Sequence, residues 1–370
     1  MLIVIIFLVL LLYLFLIVTY TIGWYRLDRV EPLVFANNLT ISVVVCARNE
    51  EACIGYLLQC IVNQSFRPLE IIVVDDGSTD RMADVISHFP SVQLIHTTGI
   101  GKKQGLQIGV QRARGELIVC TDADCSMGDG WLHAIASCYV QYHPSMIIAP
   151  VQLHYDQSFW QQLQALEFMS LAASTAGAAG VGHSVMCNGA NLAFTKEAWN
   201  KSCCELKLEE PSGDDMFLMI SLKRRKEHIQ YLKSREALVF TQPCLSVGDF
   251  VRQRSRWVSK SRSYTDKEVL ITAGLVLSIS VLPLLLGIVS LFIHGVWILA
   301  LSVWATKTII DALFLSMVSP FFSALQLLRL IMLLAVIYPF YLIGITLAGL
   351  LGHVKWKERV YPCRHFRNHI

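Results

Sequence analysis

Charged residues are scarce in this 370-residue chain. Only 16% of its residues are Asp, Glu, Lys or Arg, whereas 54% are hydrophobic, and the mean hydropathy is +0.50. This composition is too apolar for an ordinary soluble protein, so it predicts a part that lies within a membrane. The net charge of +3 is small and gives no reason to expect a nucleic-acid partner.

The first 20 residues contain no charged side chain at all, and as a helix they are long enough to cross roughly 30 Å of hydrocarbon. A cleaved secretory signal would need a basic start and a small-residue cleavage site, and this stretch has neither. Aromatic and basic residues follow it as an anchor, namely Trp24, Tyr25, Arg26 and Arg29. We therefore predict a permanent transmembrane helix over residues 1–23, with its N-terminus outside.

A second apolar block predicts a C-terminal membrane domain at residues 268–353, with three helical segments separated near His294 and at 319–326. Three spans after a cytoplasmic domain would place the basic tail, residues 354–370, outside, whereas its Lys and Arg residues favour the inside. One segment is therefore expected to be re-entrant or interfacial, and the segment that contains Pro283 is the first candidate.

Few polar residues interrupt these segments, but Lys307 and Asp311 lie four residues apart inside the middle one. Ions within a membrane often mark function, whereas a pair at this spacing can also neutralise itself and serve structure alone. Both interpretations stay open from the sequence.

The chain also lacks any cysteine spacing typical of a metal site or a disulfide framework, although it contains eleven cysteines. Cys203 and Cys204 are adjacent, and others, such as Cys46 and Cys120, lie in strand-like apolar runs. The sequence therefore predicts reduced thiols in a domain that faces the cytoplasm.

Short apolar runs alternate with helix-like stretches between residues 38 and 264, a pattern typical of an α/β layer fold. We predict strands at 41–46, 69–74, 92–95, 116–120 and 146–151, and helices at 50–63, 102–114 and 131–141.

Three of the predicted strands end in polar clusters: Ala47 to Glu51 ("ARNEE"), Asp75-Asp76, and Thr121 to Asp124 ("TDAD"). In open α/β sheets, ligands bind beyond the carboxyl ends of the strands, so we expect these clusters to share one rim. Carboxylate oxygens hold Mg²⁺ or Mn²⁺ and leave positions open for phosphate oxygens. The pattern predicts a site for a nucleotide diphosphate with a divalent metal.

No standard phosphate-binding loop is present, because "GIGKKQG" at residues 99–105 fits neither GxxxxGK[ST] nor GxGxxG. Lys102 can still meet a diphosphate as a point charge at the start of a helix.

Seven motifs occur in order: "ARNEE", "VDDGSTD", "GKKQGLQIGVQRARGE", "TDAD", "NGANLAF", "SGDDMF" and "QRSRW". In this order they resemble the family 2 glycosyltransferases with a GT-A fold, over about residues 41–257. The chain is most similar to the membrane-integrated branch, which includes cellulose, hyaluronan and poly-N-acetylglucosamine synthases and ceramide glucosyltransferases. The resemblance implies a GT-A domain at residues 38–264, with a mixed, mostly parallel sheet, flanked by transmembrane helices.

The resemblance also implies the donor site. Asp76 would accept the imide N–H of a uracil-like base, with Asp75 supporting the turn, and Ala47, Arg48 and Glu50 would line the nucleoside side. Lys102 matches the lysine that contacts the donor diphosphate. Asp122 and Asp124 match the DxD motif, with Asp124 as the direct metal ligand and Asp122 nearer the ribose or diphosphate.

Asp215 in "SGDDMF" aligns with the family's general base, although this chain has "SGDD" where relatives have "TED" or "GDD". Read without the family, the same residues can simply begin the helix that follows. "QRSRW" matches QxxRW: Arg256 would hold the pyrophosphate, Trp257 would form a wall for the acceptor, and Gln253 completes the motif. Without the family, its basic residues are a cytoplasmic anchor before a membrane span.

We therefore expect an inverting, Mg²⁺- or Mn²⁺-dependent glycosyltransferase of the cell inner membrane, with a cytoplasmic catalytic domain and a nucleotide-sugar donor, for which we expect a UDP-sugar. A lipid acceptor is favoured over a polysaccharide, because few polar residues line the predicted spans. A processive polysaccharide synthase is the alternative of the same class. A membrane transporter and a catalytically silent nucleotide-binding scaffold are the alternatives of other classes.

Overall fold

The structure is a computed structural model, and it describes residues 2–28, 30, 39–207, 213–351, 354–356 and 359–361. Arg29, Ser212 of "SGDD" and most of the predicted basic tail at 354–370 lie outside the described residues.

The strands in the described residues are β1 (Ile41–Ala47), β2 (Glu70–Asp75), β3 (Val92–His96), β4 (Leu117–Thr121), β5 (Ser126–Met127), β6 (Met146–Ile148), β7 (Val151–Leu153), β8 (Leu192–Thr195), β9 (Ile229–Tyr231), β10 (Val239–Thr241), β11 (Val354–Trp356) and β12 (Arg359–Tyr361). The α-helices in the same residues are α1 (Leu2–Arg26), α2 (Ile54–Val62), α3 (Met82–Ser87), α4 (Lys102–Arg112), α5 (Trp131–Tyr142), α6 (Phe159–Gly180), α7 (Lys196–Ser202), α8 (Asp214–Arg224), α9 (Val247–Ser259), α10 (Lys267–Val289), α11 (Val296–Val318) and α12 (Ile331–Leu351).

The chain forms two compact units. The first, here called the helical unit, contains residues 1–22, 155–173 and 244–370, and the second, the sheet unit, contains residues 23–154 and 174–243. The predicted domain ranges divide the chain differently, because they assign 155–173 and 244–264 to the glycosyltransferase domain. Those ranges stay a prediction.

A seven-stranded sheet in the order β3-β2-β1-β4-β8-β6-β9 is the centre of the sheet unit. Strands β1, β2, β3 and β4 pair in parallel, whereas β8 runs antiparallel to both β4 and β6. β1 and β4 are almost entirely buried, which explains why they read as continuous apolar runs. The predicted mixed, mostly parallel sheet is confirmed.

The strand predicted at 146–151 is wrong in one respect, because it is two strands. β6 belongs to the large sheet, and β7 pairs with β10 in a second sheet of order β5-β10-β7. Pro150 lies at the break, and proline cannot donate a hydrogen bond to a strand ladder.

A buried amide connects the parts of the sheet unit. Asn191 of "NGANLAF" is fully buried, and its Oδ1 accepts a hydrogen bond from the Trp131 indole at 2.9 Å. Its Nδ2 donates to the carbonyl oxygens of Pro150 at 2.8 Å and Ala237 at 2.7 Å. One side chain therefore joins α5, the β6–β7 break and the segment before β10.

We expect Asn191→Leu to lower the free energy of unfolding by about 2 kcal/mol, because three buried polar groups would lose their partner. Asn188→Ala is the matched control in the same motif, since the Asn188 side chain accepts from the Ala190 amide and its loss should cost about 1 kcal/mol. Thermal midpoints of the two purified variants check the difference. Equal midpoints would contradict the connecting role of Asn191.

Four helices in the described residues are long and apolar enough to cross a membrane: 3–26, 267–289, 296–318 and 325–350. Large apolar side chains on them stand exposed in the protein alone, as a lipid-facing surface requires, and Phe15 is 71% exposed. This arrangement, one helix N-terminal and three C-terminal, confirms the predicted set and supports an integral membrane protein.

α10 is one continuous helix through Pro283, and this gives no support to the expectation that the segment is re-entrant.

In the helical unit, Lys307 and Asp311 form an ion pair of 2.5 Å, and the Tyr13 hydroxyl donates to the same carboxylate. The pair read from the sequence is therefore neutralised and joins α1 to α11.

Candidate functional site

The carboxyl ends of three parallel strands meet at one edge of the large sheet. Ala47 at the end of β1 pairs with Asp75 at the end of β2, and Thr121 at the end of β4 lies beside Val45. The three polar clusters predicted at strand ends therefore begin side by side.

Reciprocal hydrogen bonds join the loops after β1 and β2. Asn49, in the left-handed region at φ 51°, accepts from the Thr79 amide through Oδ1, and its own amide donates to Ser78 Oγ. The Glu51 amide donates to Asp80, and Glu51 Oε2 accepts from the Arg81 amide at 2.8 Å. These polar residues of "ARNEE" and "DGSTD" hold the rim in shape, a role that the sequence did not reveal.

The two adjacent acids after β2 have different partners. Asp75 accepts from the Ser78 amide at 2.8 Å and from His96, so it supports the turn as expected. Asp76 is fully buried, and both of its carboxylate oxygens accept from the Gly101 amide, at 2.9 and 3.1 Å. The position of the Gly101 amide depends on a glycine, because its φ is 104°.

Lys102 and Asp122 form the ion pair at the centre of this edge. The two side chains are 2.5 Å apart, and they are 27% and 34% exposed. Burial alone would lower the pKa of Lys102, but the carboxylates of Asp122 and Asp214 outweigh burial and raise it. Lys102 is therefore a fixed positive charge between two acidic segments, whereas the adjacent Lys103 is buried and donates to backbone carbonyls near residue 206.

Asp124 lies close to two other acids. Burial raises the pKa of Asp124, and the charges of Asp122 and Glu50 raise it further. Its Oδ2 accepts from the Thr241 hydroxyl at 3.1 Å, which fixes the carboxylate from the second sheet. Thr241 belongs to no motif, so sequence reasoning missed it.

The described cysteines are all free thiols, in agreement with the predicted reduced state. Burial raises the pKa of Cys46, under this edge, to about 12, so this thiol stays protonated at neutral pH.

The acidic pair of "SGDD" begins helix α8. Gly213, at φ 95°, precedes it, and Asp215 Oδ2 accepts from the Gly189 amide at 3.2 Å. Asp215 Oδ1 accepts from the Met216 amide at 2.7 Å. The charge of Asp214 raises the pKa of Lys102, and the Oδ2 atoms of Asp214 and Asp215 would both lie 3.9 Å from a β-carbon at Gly189 of "NGANLAF".

The QxxRW residues lie in the helical unit, on α9, whereas the predicted donor and metal residues and Asp215 lie in the sheet unit. Gln253, Arg256 and Trp257 are all partly exposed. α9 begins at a Ser246 cap and ends at Ser259, so the three residues share one regular helix.

The predicted metal residues fit a metal that is completed by its substrate. Among the described residues, no three Asp, Glu, His or Cys side chains form a closed metal cluster. Mg²⁺ usually takes only one or two protein carboxylates and fills its other positions with water and substrate phosphates. Asp124, and Asp122 with its remaining oxygen, are a hard-oxygen set of that kind.

The sequence model of a protein family described as "Glycosyltransferase like family 2" matches residues 38–260. A 4,4'-diaponeurosporenoate glycosyltransferase of Staphylococcus haemolyticus is 33% identical over 125 residues, which are 31% of this chain and 33% of that protein. An uncharacterized glycosyltransferase of Haemophilus influenzae is 29% identical over 108 residues, 28% of this chain and 43% of that protein. The matches thus span less than half of the length of these relatives.

A solved structure shares the fold. The mannosyltransferase PcManGT from Pyrobaculum calidifontis, in complex with GDP-Man and Mn²⁺, aligns with a TM-score of 0.57 over 94% of this chain and 96% of its own. At 16% identity, this likeness shows a common GT-A-like fold and no more.

Proposed function

Since the chain belongs to the protein family described as "Glycosyltransferase like family 2", we propose that it is an inverting glycosyltransferase that moves a sugar from a nucleotide-sugar donor to a lipid acceptor. A UDP-sugar is the proposed donor, because the resemblance of "VDDGSTD" to the family's motif implies that Asp76 accepts the imide N–H of uracil.

The cluster around the Lys102–Asp122 pair carries this proposal. At the carboxyl edge of the sheet, Lys102 pairs with Asp122, and the charges of Asp122 and Asp214 raise the pKa of Lys102. The charge of Asp122 also raises the pKa of Asp124. A diphosphate needs both a cation and oxygen ligands for its counter-ion, and this edge supplies both within one unit. A structural ion pair alone would not need Asp124 and Glu50 close by, because like charges destabilise each other.

Each residue has a proposed task. Lys102 exchanges its partner Asp122 for a diphosphate oxygen, and Arg48 and Glu50 line the nucleoside beside Ala47.

Asp124, fixed by Thr241, and Asp122 would hold Mg²⁺ or Mn²⁺, which when bound supplies positive charge to the leaving diphosphate. Asp215 takes the proton from the acceptor hydroxyl as that oxygen attacks the anomeric carbon, and Arg256 compensates charge on the diphosphate. Direct displacement inverts the anomeric centre.

Contacts within the helical unit support a lipid acceptor. α9, which carries Trp257, packs on α12, one of the candidate membrane helices, and the rings of Phe250 and Tyr341 are 5.3 Å apart. A β-carbon at Gly349 of α12 would collide with the Ser255 carbonyl, so the two helices touch closely. The name of the Staphylococcus haemolyticus relative, 4,4'-diaponeurosporenoate glycosyltransferase, also indicates an apolar acceptor for that protein.

The purified full chain in detergent, with a membrane lipid extract, tests the proposal against a panel of radiolabelled nucleotide sugars. GDP-mannose joins the UDP-sugars in the panel, because the fold neighbour was solved with GDP-Man. We expect one donor to label a single-sugar glycolipid that extracts into organic solvent. A glycosidase-sensitive polymer would support the processive alternative, and no transfer from any donor would refute the enzyme assignment.

We further predict that residues 38–264 face the cytoplasm, where nucleotide sugars are made, because Arg26 follows the first span. An impermeant thiol reagent applied to intact cells should miss Cys204, which is exposed, and also Cys203 and Cys244. His294→Cys, in the exposed link between α10 and α11, is the matched control and should be labelled from outside. Labelling of Cys204 without permeabilisation would reverse the orientation and with it the donor assignment.

A further inference from the structure

A buried ion pair lies inside the QxxRW segment, at a position that the motif leaves undefined. Arg254 Nη2 is 2.6 Å from Glu167 Oε2, and the two side chains are only 3% and 4% exposed. The Tyr341 hydroxyl donates to the other oxygen of Glu167 at 3.1 Å. All three residues belong to the helical unit, and they connect α6, α9 and α12.

The same guanidinium contacts the two QxxRW side chains nearest to it. Its centre lies 4.0 Å from the Trp257 ring centroid, which is a cation–π distance, and its Nη1 donates to Gln253 Oε1 at 2.8 Å. Phe250 and Phe168 complete an aromatic surround, at 4.8 and 5.7 Å from the guanidinium. Trp257 is one turn beyond Arg254 on the same helix face, so this contact follows from helical spacing.

Stability does not explain the pair well. Removal of two charges from water is unfavourable, and well-packed apolar residues in place of a buried pair are often neutral or better. Arg254 Nε also has no hydrogen-bond partner in the part of the chain that the structure describes, so the pair is not fully satisfied. What the planar guanidinium supplies is simultaneous contact with a carboxylate, an amide oxygen and an indole face, which a lysine cannot reproduce.

We propose that Arg254 is a positioning residue that orients Trp257 and Gln253, and that Glu167 and Tyr341 hold Arg254 in place. Its consequence for catalysis rests on the proposed function, in which Trp257 is the wall of the acceptor site. Arg254 is buried and does not itself touch substrate. A fixed indole keeps the acceptor in one orientation, so loss of Arg254 acts on acceptor binding and turnover and leaves donor affinity unchanged.

Three variants separate positioning from support of the fold: Arg254→Met, Glu167→Gln and the double variant. Either single change leaves one buried group without its partner and lowers the melting midpoint, whereas the double change removes both charges and restores most of it. We expect the acceptor KM of the double variant to stay raised, by up to about 30-fold, the scale of a desolvated cation–π contact. Recovery of the acceptor KM together with the melting midpoint would overturn the proposal.

A second ion pair, partly buried, gives a control in the same unit. Lys307→Met with Asp311→Asn removes this pair, which is 2.5 Å long, without a change in α9. This double variant should keep the acceptor KM of the unaltered protein. An equal rise in its acceptor KM would show that any lost ion pair in this unit has the same effect, and it would count against a special role of Arg254.

A readout without turnover keeps the inference separate from the enzyme assignment. The chain has eight tryptophans, and full-length protein labelled with 5-fluorotryptophan gives one ¹⁹F resonance for each. Trp257→Phe removes one resonance and so identifies it. We expect the Trp257 resonance to shift or broaden in the Arg254→Met/Glu167→Gln variant, even if no donor is ever found. An unchanged Trp257 resonance would refute the positioning role.

Discussion

Asp215→Asn is expected to slow sugar transfer by on the order of 10²- to 10⁴-fold, the usual contribution of a general base. The physical reason is that an amide cannot take the proton of the acceptor hydroxyl. Asn keeps an oxygen for the Met216 amide, whereas its NH₂ group would face the Gly189 amide, so a modest loss of stability is also expected. Single-turnover transfer at saturating donor, with donor binding by calorimetry, measures the effect.

Asp214→Asn is the matched control, one residue away in the same helical turn. Asp214 raises the pKa of Lys102, so its loss should weaken donor binding and slow transfer less than the change at Asp215. If Asp214→Asn were the more severe variant, the base would be Asp214, and the alignment of "SGDD" with the family would be one residue out.

Asp124→Asn is expected to reduce metal-dependent transfer by on the order of 10²- to 10³-fold, because a direct ligand should matter at least as much as the groups that orient it. The fold should stay intact, because burial and two neighbouring acids already work against the charge of this carboxylate. Transfer measured across a Mn²⁺ or Mg²⁺ titration, with EDTA as the metal-free reference, checks the result. Undiminished, EDTA-insensitive transfer by the variant would refute the metal site.

Two further variants locate the effect. Thr241→Val removes the hydroxyl that donates to Asp124 and should raise the metal concentration needed for half-maximal transfer by about 10-fold, within the range for a group that orients a ligand. Asp129 is an exposed acid five residues after Asp124. Asp129→Asn should change neither the rate of metal-dependent transfer nor the metal concentration needed for half-maximal transfer. An effect at Asp129 as large as that at Thr241 would indicate a general charge effect in place of a metal ligand.

Local patterns in the sequence were sufficient for strands β1 to β4 and for the sheet edge that holds the candidate site. Burial on both faces makes β1 and β4 continuous apolar runs, and parallel strands bring their carboxyl ends to one edge, so the clusters after 47, 75 and 121 could be expected to meet. Long apolar stretches with few charges likewise determined the four membrane-type helices, because their length and composition are properties of single segments.

The partners of the site residues came only from the tertiary structure. Thr241 reaches Asp124 across 117 residues, and Arg254 reaches Glu167 across 87. No periodicity reports such pairs, because periodicity describes one element at a time, whereas these contacts depend on how elements pack. The burial of Asp76 beneath the Gly101 amide has the same origin, since it needs the loop after β3 to fold back over β2. The sequence by itself determined which residues could do chemistry, and packing decided which of them hold each other in place.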